Sequence, residues 1–212
     1  MARRSDHTRE ELSQLAIQIG HEMMALKGYR EFSIRQVAKN MGYTVGTIYN
    51  LFGSYNQFVL RVNAMTLDKL YHFVSETKAT DFPPATAYPG RNQKNIKELA
   101  KAYIDFAHKN FHAWTALFEF NLPQGEVLPN YYQAKIHKLF DLVEQSLVDH
   151  TLDQEHAQSM AKVIWASIHG ICQLGLTGKL EAVGAESIGQ MTDLLINQVL
   201  VGLKMLNKKE EY

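Results

Sequence analysis

The chain has 212 residues, 46% of them apolar, and its 22 basic side chains balance 22 acidic ones. That supplies material for one or two cores and excludes a disordered chain, which lacks bulky apolar residues and carries excess charge. Zero net charge also excludes a polycationic coat, so any contact with nucleic acid must come from a local cluster.

The first helix is expected from Thr8 to about Lys27. Thr8 followed by Glu11 is a capping box, which satisfies backbone N–H groups left open at a helix start. Leu12, Leu15, Ala16, Ile19, Met23 and Leu26 fall on one face, and Gly28 follows as the stop. A short second helix starts at Ser33-Ile34-Arg35-Gln36, again in capping-box spacing, buries Ile34, Val37, Ala38 and Met41, and ends at Gly42. A third begins near Thr44 with Val45, Ile48 and Phe52 inward and stops at Gly53. The fourth, about 54–78, is capped by Ser54 and turns Phe58, Val62, Met65 and Phe73 inward.

Residues 81–95 hold three prolines and a glycine, which forbid a continuous helix and mark a loop. Five further helices are expected at about 96–109, 111–121, 130–149, 154–177 and 185–207. No repeat and no alternating strand pattern occurs, so the fold class is all-α. The single cysteine, Cys172, cannot close an intrachain disulfide and fits a reducing compartment. No apolar run of signal-peptide type follows Arg3-Arg4, and none reaches the roughly 18 residues of a membrane span. The expectation is a cytoplasmic chain without membrane contact.

Residues 33–52 describe two short helices joined by a glycine-containing turn, a helix-turn-helix. A helix that enters the major groove needs a slender start, and Thr44-Val45-Gly46-Thr47 provides one. Tyr49 and Asn50 add a hydroxyl and an amide suited to phosphate or base contacts. With Gly28-Tyr29 upstream, Ser33-Ile34-Arg35-Gln36-Val37-Ala38 and Gly46-Thr47-Ile48-Tyr49-Asn50-Leu51-Phe52 make about residues 10–60 resemble the TetR family of transcriptional regulators. The resemblance implies an N-terminal three-helix DNA-binding domain over 1–56 and a larger C-terminal effector-binding and dimerisation domain over 57–212. It implies Ser33, Arg35, Thr44, Val45, Gly46, Thr47, Tyr49, Asn50 and Tyr55 as DNA-facing residues.

The sequence departs from the family at one point. Tyr55-Asn56 stands where the family often has a phosphate-binding lysine. Residues 1–60 carry Arg3, Arg4, Arg9, Lys27, Arg30, Arg35 and Lys39 against Asp6, Glu10, Glu11, Glu22 and Glu31, a shallow positive balance. That predicts weak non-specific DNA binding, because the non-specific term is electrostatic. Arg3 and Arg4 read equally as a DNA-seeking arm or a plain terminus, and Arg35 also reads as a solvated surface charge.

In the C-terminal part, helix 154–177 carries Ala157, Met160, Ala161, Ile164, Ile168, Ile171 and Cys172 on one stripe. Trp165, His169 and Leu176 adjoin it. The last helix carries Ile188, Met191, Leu195 and Val199, with Leu194, Val201 and Met205 alongside. Apolar arcs this wide need burial on two sides, and an identical subunit is the simplest outer partner. The TetR resemblance implies the same homodimer, through the last two long helices.

Trp165-x-x-x-His169-Gly170 resembles a signature of one group of TetR-like C-terminal domains; it reads either as a pocket wall or as packing. Tyr103, Phe106, Trp114 and Phe118, joined by Trp165 and His169, are the candidate ligand residues, with an ordinary core as the other reading. Any ligand is then apolar or aromatic. Asp105, His108 and His112 share a helical face, but Lys101 and Lys109 beside them favour a solvated surface over a metal site. No phosphate loop, nucleophile elbow or catalytic carboxylate pair occurs, so neither an enzyme nor a cofactor is expected.

The leading expectation is a one-component regulator, acting as a repressor. It binds a palindromic double-stranded operator as a homodimer and is released by a small effector. The alternative is a helical ligand-binding or adaptor protein whose DNA binding is weak or lost.

Overall fold

The computed structural model describes residues 7–76, 95–151, 153–185 and 187–209. Among them are ten helices and no strand: α1 (Arg9–Lys27), α2 (Ile34–Met41), α3 (Val45–Phe52), α4 (Tyr55–Glu76), α5 (Ile96–Lys109), α6 (Phe111–Glu119), α7 (Asn130–Leu147), α8 (Gln154–Leu176), α9 (Lys179–Ala182) and α10 (Ile188–Lys209). The all-α expectation is met. The expected loop at 81–95 lies outside the described residues apart from Asn95.

Local chemistry explains most helix ends. The Thr8 hydroxyl accepts from the Glu11 N–H at 3.2 Å while the Glu11 carboxylate accepts from the Thr8 N–H at 2.6 Å, so the capping box forms in full. Asn95 and Glu98 make the equivalent exchange at the start of α5, and Ser187 and Gln190 before α10. Asp153 opens α8 by accepting from the His156 N–H at 2.7 Å. The box expected at Ser33 does not form: Ser33 occupies the cap position of α2, yet its side chain makes no capping hydrogen bond. Spacing permits a cap but does not choose the rotamer.

The chain divides into two compact units, Met1–Leu70 with Lys109–Lys135, and Tyr71–His108 with Ile136–Tyr212. Thus α4 gives Tyr55–Leu70 to the first and its last turns to the second. The compact units are therefore discontinuous in sequence. The reason lies in α6, which packs along α1 and shares its core. Trp114 of α6 is fully buried, Ala116 packs with Ala16, Met24 and Phe58, and the Asn63 amide of α4 donates to the Ala116 carbonyl at 3.3 Å. Phe120 meets Tyr29 edge-on, with ring centres 5.9 Å apart.

Helix α1 buries Ala16, Gly20, His21, Met23 and Met24. Leu26, expected inward, is 72% exposed, because Met24 completes the buried stripe one turn after Gly20. Gly20 is a notch: a Cβ there would stand 2.8 Å from Val62 and 3.0 Å from Phe58. Lys135 closes the unit's surface with a salt bridge to Asp68 at 2.6 Å.

The second unit is organised around Ile96, Ala100, Leu147, Ala161, Ile164, Ile168, Ile196 and Leu203. On α8 the expected inner stripe is met by Ala157, Ala161, Ile164, Ile168 and Cys172. On α10 the buried positions are Thr192, Ile196 and Leu203, so the expected Ile188, Met191, Leu195 and Val199 are only half-buried, Leu195 and Val199 packing on the same core. Val163 and Leu174 of α8 and Leu194, Val201 and Met205 of α10 are exposed. The short α9 was not expected; Gly178, in the left-handed region with φ 72°, begins it.

Candidate nucleic-acid interface

Helices α2 and α3 are joined by Gly42 in the left-handed conformation, φ 76°, which only glycine adopts freely. The Gly42 and Tyr43 N–H groups return to the carbonyls of Lys39 and Ala38 at 3.0 and 2.9 Å, closing the first helix of the motif. Thr44 then opens α3, its hydroxyl accepting from the Thr47 N–H at 3.3 Å.

One side of α3 is fixed. Ile48 is 1% exposed, and Val45 and Phe52 pack on the same core, with the Phe52 and Phe58 rings 4.9 Å apart. The opposite side is open: Thr44, Gly46, Tyr49 and Asn50 are exposed, Tyr49 by 42%. Thr47 is half-buried and its hydroxyl lies 3.2 Å from that of Thr44. Such a helix presents hydroxyls, an amide and a bare backbone along one edge, with no charge of its own. On α2, Arg35 is exposed and Ser33 half-buried.

Tyr55 is placed differently from the other candidates. Its ring packs against Phe32, with centres 6.4 Å apart, and belongs to the rim of the core. Burial, then the neighbouring Tyr29 hydroxyl, push its phenol up to about 12. The cause is its position at the first turn of α4, where the side chain folds back towards the α1–α2 turn. The next residue, Asn56, gives its amide to the Glu126 carboxylate at 3.2 Å.

Residues 17–62, which span this motif, match the family described as bacterial regulatory proteins of the tetR family, and residues 96–199 match a tetracyclin repressor-like C-terminal domain. The chain belongs to the TetR family of transcriptional regulators.

The chain is also similar to a curated relative and to solved structures. An uncharacterized HTH-type transcriptional regulator of Bacillus subtilis strain 168, YuxN, is 22% identical over 208 residues. That alignment takes in 95% of this chain and 66% of the relative's own length, so the chain spans just under two thirds of it. A protein of unknown function from Rhodococcus sp. RHA1 superposes with a TM-score of 0.65 at 15% identity, over 94% of this chain and 98% of that one. A candidate TetR-family regulator from Streptomyces coelicolor A3(2) gives 0.61 at 10% identity, over 92% and 99%. At these identities the likeness is one of fold.

Within this TetR-family chain the candidate ligand residues separate into sets. In the second unit the Tyr103 hydroxyl lies 3.0 Å from His169 Nδ1, and His169 stacks on Trp165 with ring centres 5.7 Å apart. Trp165 meets Phe140 edge-on at 5.5 Å. Burial lowers the pKa of His169, so its ring is neutral near pH 7. Phe106 is buried against Phe73, 5.7 Å away. Trp114 and Phe118 belong to the first unit, where they pair at 5.5 Å.

A groove of about 410 Å³ in the second unit involves none of these residues: Asp141, Glu144, Val148, Thr151, Asp153 and Gln154 are among those lining it, between the end of α7 and the start of α8. Its acidic lining was not anticipated: Asp141 and Glu144 share a face of α7, but the sequence does not show that the start of α8, with Asp153 and Gln154, lies opposite it. Among the described residues no three His, Cys, Asp or Glu side chains gather to hold a metal ion, and no helix is long and apolar enough to cross a membrane. Burial pushes the Cys172 thiol up to about 12, so it stays protonated and a poor nucleophile.

Proposed function

We propose that the chain reads a pseudo-palindromic operator as a homodimer, with α3 in the major groove. In this reading the segment 1–56 is the DNA-reading part and 57–212 provides dimerisation and effector response. Thr44, Gly46, Thr47, Tyr49 and Asn50 face the duplex, with Ser33 and Arg35 of α2 towards the backbone. The observation that carries this is the division of α3 into a locked apolar side at Ile48 and an exposed, uncharged polar edge. An uncharged reading edge suits base and phosphate hydrogen bonding, and leaves non-specific affinity low.

The exposed apolar side chains of α8 and α10 support a seam between two copies. A two-fold dimer sets its reading heads about one helical turn of DNA apart, roughly 34–36 Å. A small apolar or aromatic effector, sensed at the Tyr103, Trp165 and His169 set, lowers operator affinity, so the chain acts as a repressor.

Selection of duplexes from a random pool by the whole chain tests the DNA reading. The expected outcome is an inverted repeat, lost when Tyr49 and Asn50 are both changed to alanine. Enrichment of no consensus sinks it. For the effector, any compound that raises the melting temperature is added to an operator titration. Coupling between two such sites is typically about 1–3 kcal/mol; unchanged operator affinity removes the effector role.

A further inference from the structure

We propose that Arg9 is a positioning residue for operator reading, holding the C-terminal end of α3 through the Asn50 carbonyl. Its guanidinium donates from Nη2 to that oxygen at 3.2 Å, across 41 positions of sequence.

Three observations converge on this contact. First, the Asn50 carbonyl lies in the last turn of α3, where carbonyls have lost their i+4 donors. The Gly53 N–H, which could have reached back to it, goes to Tyr49 instead at 2.8 Å. Second, α3 carries no basic residue in its last turn and no acidic one in its first. Nothing on the helix itself offsets the negative end of its dipole, so a cation supplied by another element has unusual leverage. Third, the cation's own anchor is rigid. Arg9 directly follows Thr8, whose reciprocal bonds with Glu11 fix the first turn of α1.

The held peptide belongs to Asn50, whose exposed side chain, with that of Tyr49, forms the far end of the polar edge of α3. Turning that peptide turns both side chains relative to a base edge. Arg9 thereby acts on recognition through α3, not by touching DNA. The proposal rests on α3 as the reading helix. A competing role, direct neutralisation of a phosphate by the same exposed guanidinium, makes opposite predictions.

The test uses the full chain with Arg9→Gln and Arg9→Lys. Each is titrated with the duplex selected by the wild type and with a scrambled duplex of equal length, over a range of salt. Amide hydrogen exchange of α3 is measured without DNA. In Arg9→Gln the ratio of operator to scrambled affinity falls by about three- to tenfold, the salt slope holds, and the last-turn amides of α3 exchange several-fold faster. Arg9→Lys, which keeps a charged donor, recovers part of both. Equal weakening on both duplexes, with a salt slope shallower by about 0.9 per subunit, assigns Arg9 to a phosphate and overturns the proposal. Unaltered exchange and unaltered ratio make it a bystander and overturn it equally. The exchange measurement needs no DNA, so failure of α3 as the reader shows separately, as an unselective wild type.

Discussion

At the scale of single residues, a position in the core is decided by volume and solvation. Gly20→Ala places a methyl 2.8 Å from Val62 and 3.0 Å from Phe58, both fully buried. Alanine favours helix by about 1 kcal/mol, but overpacking by a methyl this close costs about 1–3, so the variant loses up to about 2 kcal/mol. A melting temperature equal to or above that of the wild type contradicts the notch. His21 gives a pH signature. Its Nδ1 lies 3.2 Å from the Lys69 ammonium, so Nδ1 accepts and Nε2 carries the proton. Burial, then Lys69, lower its pKa from 6.5 to about 4, with Glu22 opposing. The unfolded chain therefore binds the proton first, and stability falls as pH drops from about 6.5 towards 4, by roughly 2 kcal/mol. Denaturant titrations at pH 7.5 and 4.5 measure the loss, and His21→Gln shrinks it. An identical pH difference in both proteins rules His21 out. Neither effect was legible in the sequence: Gly20 and His21 are unremarkable letters until α4 lies across them.

Elements were far more legible, because period and punctuation are local. The nine longer helices stand close to where apolar spacing, glycines and capping residues put them. What failed was what depends on a neighbour: the inner stripe of α10, the exposure of Leu26, and the cap at Ser33. The two caps of the helix-turn-helix give a matched comparison. Thr44→Ala removes a formed capping bond and costs about 1 kcal/mol, whereas Ser33→Ala removes none and costs a few tenths. Equal losses in paired thermal melts refute the distinction. Gly175→Ala should lower the melting temperature, since its methyl runs into Ile188 and presses on Leu180. The exposed polar edge of α3 was legible for the reason the helices were: Ile48 fixes its rotation, and Thr44, Gly46, Tyr49 and Asn50 follow by period. How the candidate ligand residues divide between the two units was not. An aromatic run in sequence does not say which unit each ring joins, and Trp114 and Phe118 join the first.

For the whole molecule, the proposed dimer separates two kinds of damage. Leu194 is 59% exposed, while Ile168 is 5% exposed in the core. Leu194→Glu should yield a helical, folded monomer that no longer binds operator; Ile168→Asp should lose helicity. Sedimentation and circular dichroism distinguish them, and a wild type that sediments as a monomer at micromolar concentration removes the dimer. The charge balance makes a further expectation. With few cations on the reading unit, the slope of log affinity against log salt should be shallower than about −6 for the dimer.

The open stripe of Leu194, Val201 and Met205 also bears on dose. With a second copy over it, folding and pairing share one equilibrium, and stability rises with the amount of protein present. While single chains predominate, the number of pairs grows as the square of the number of chains. A halved supply then leaves about a quarter of the operator-competent pairs, and the response of a promoter to synthesis and dilution sharpens into a threshold without any added binding site.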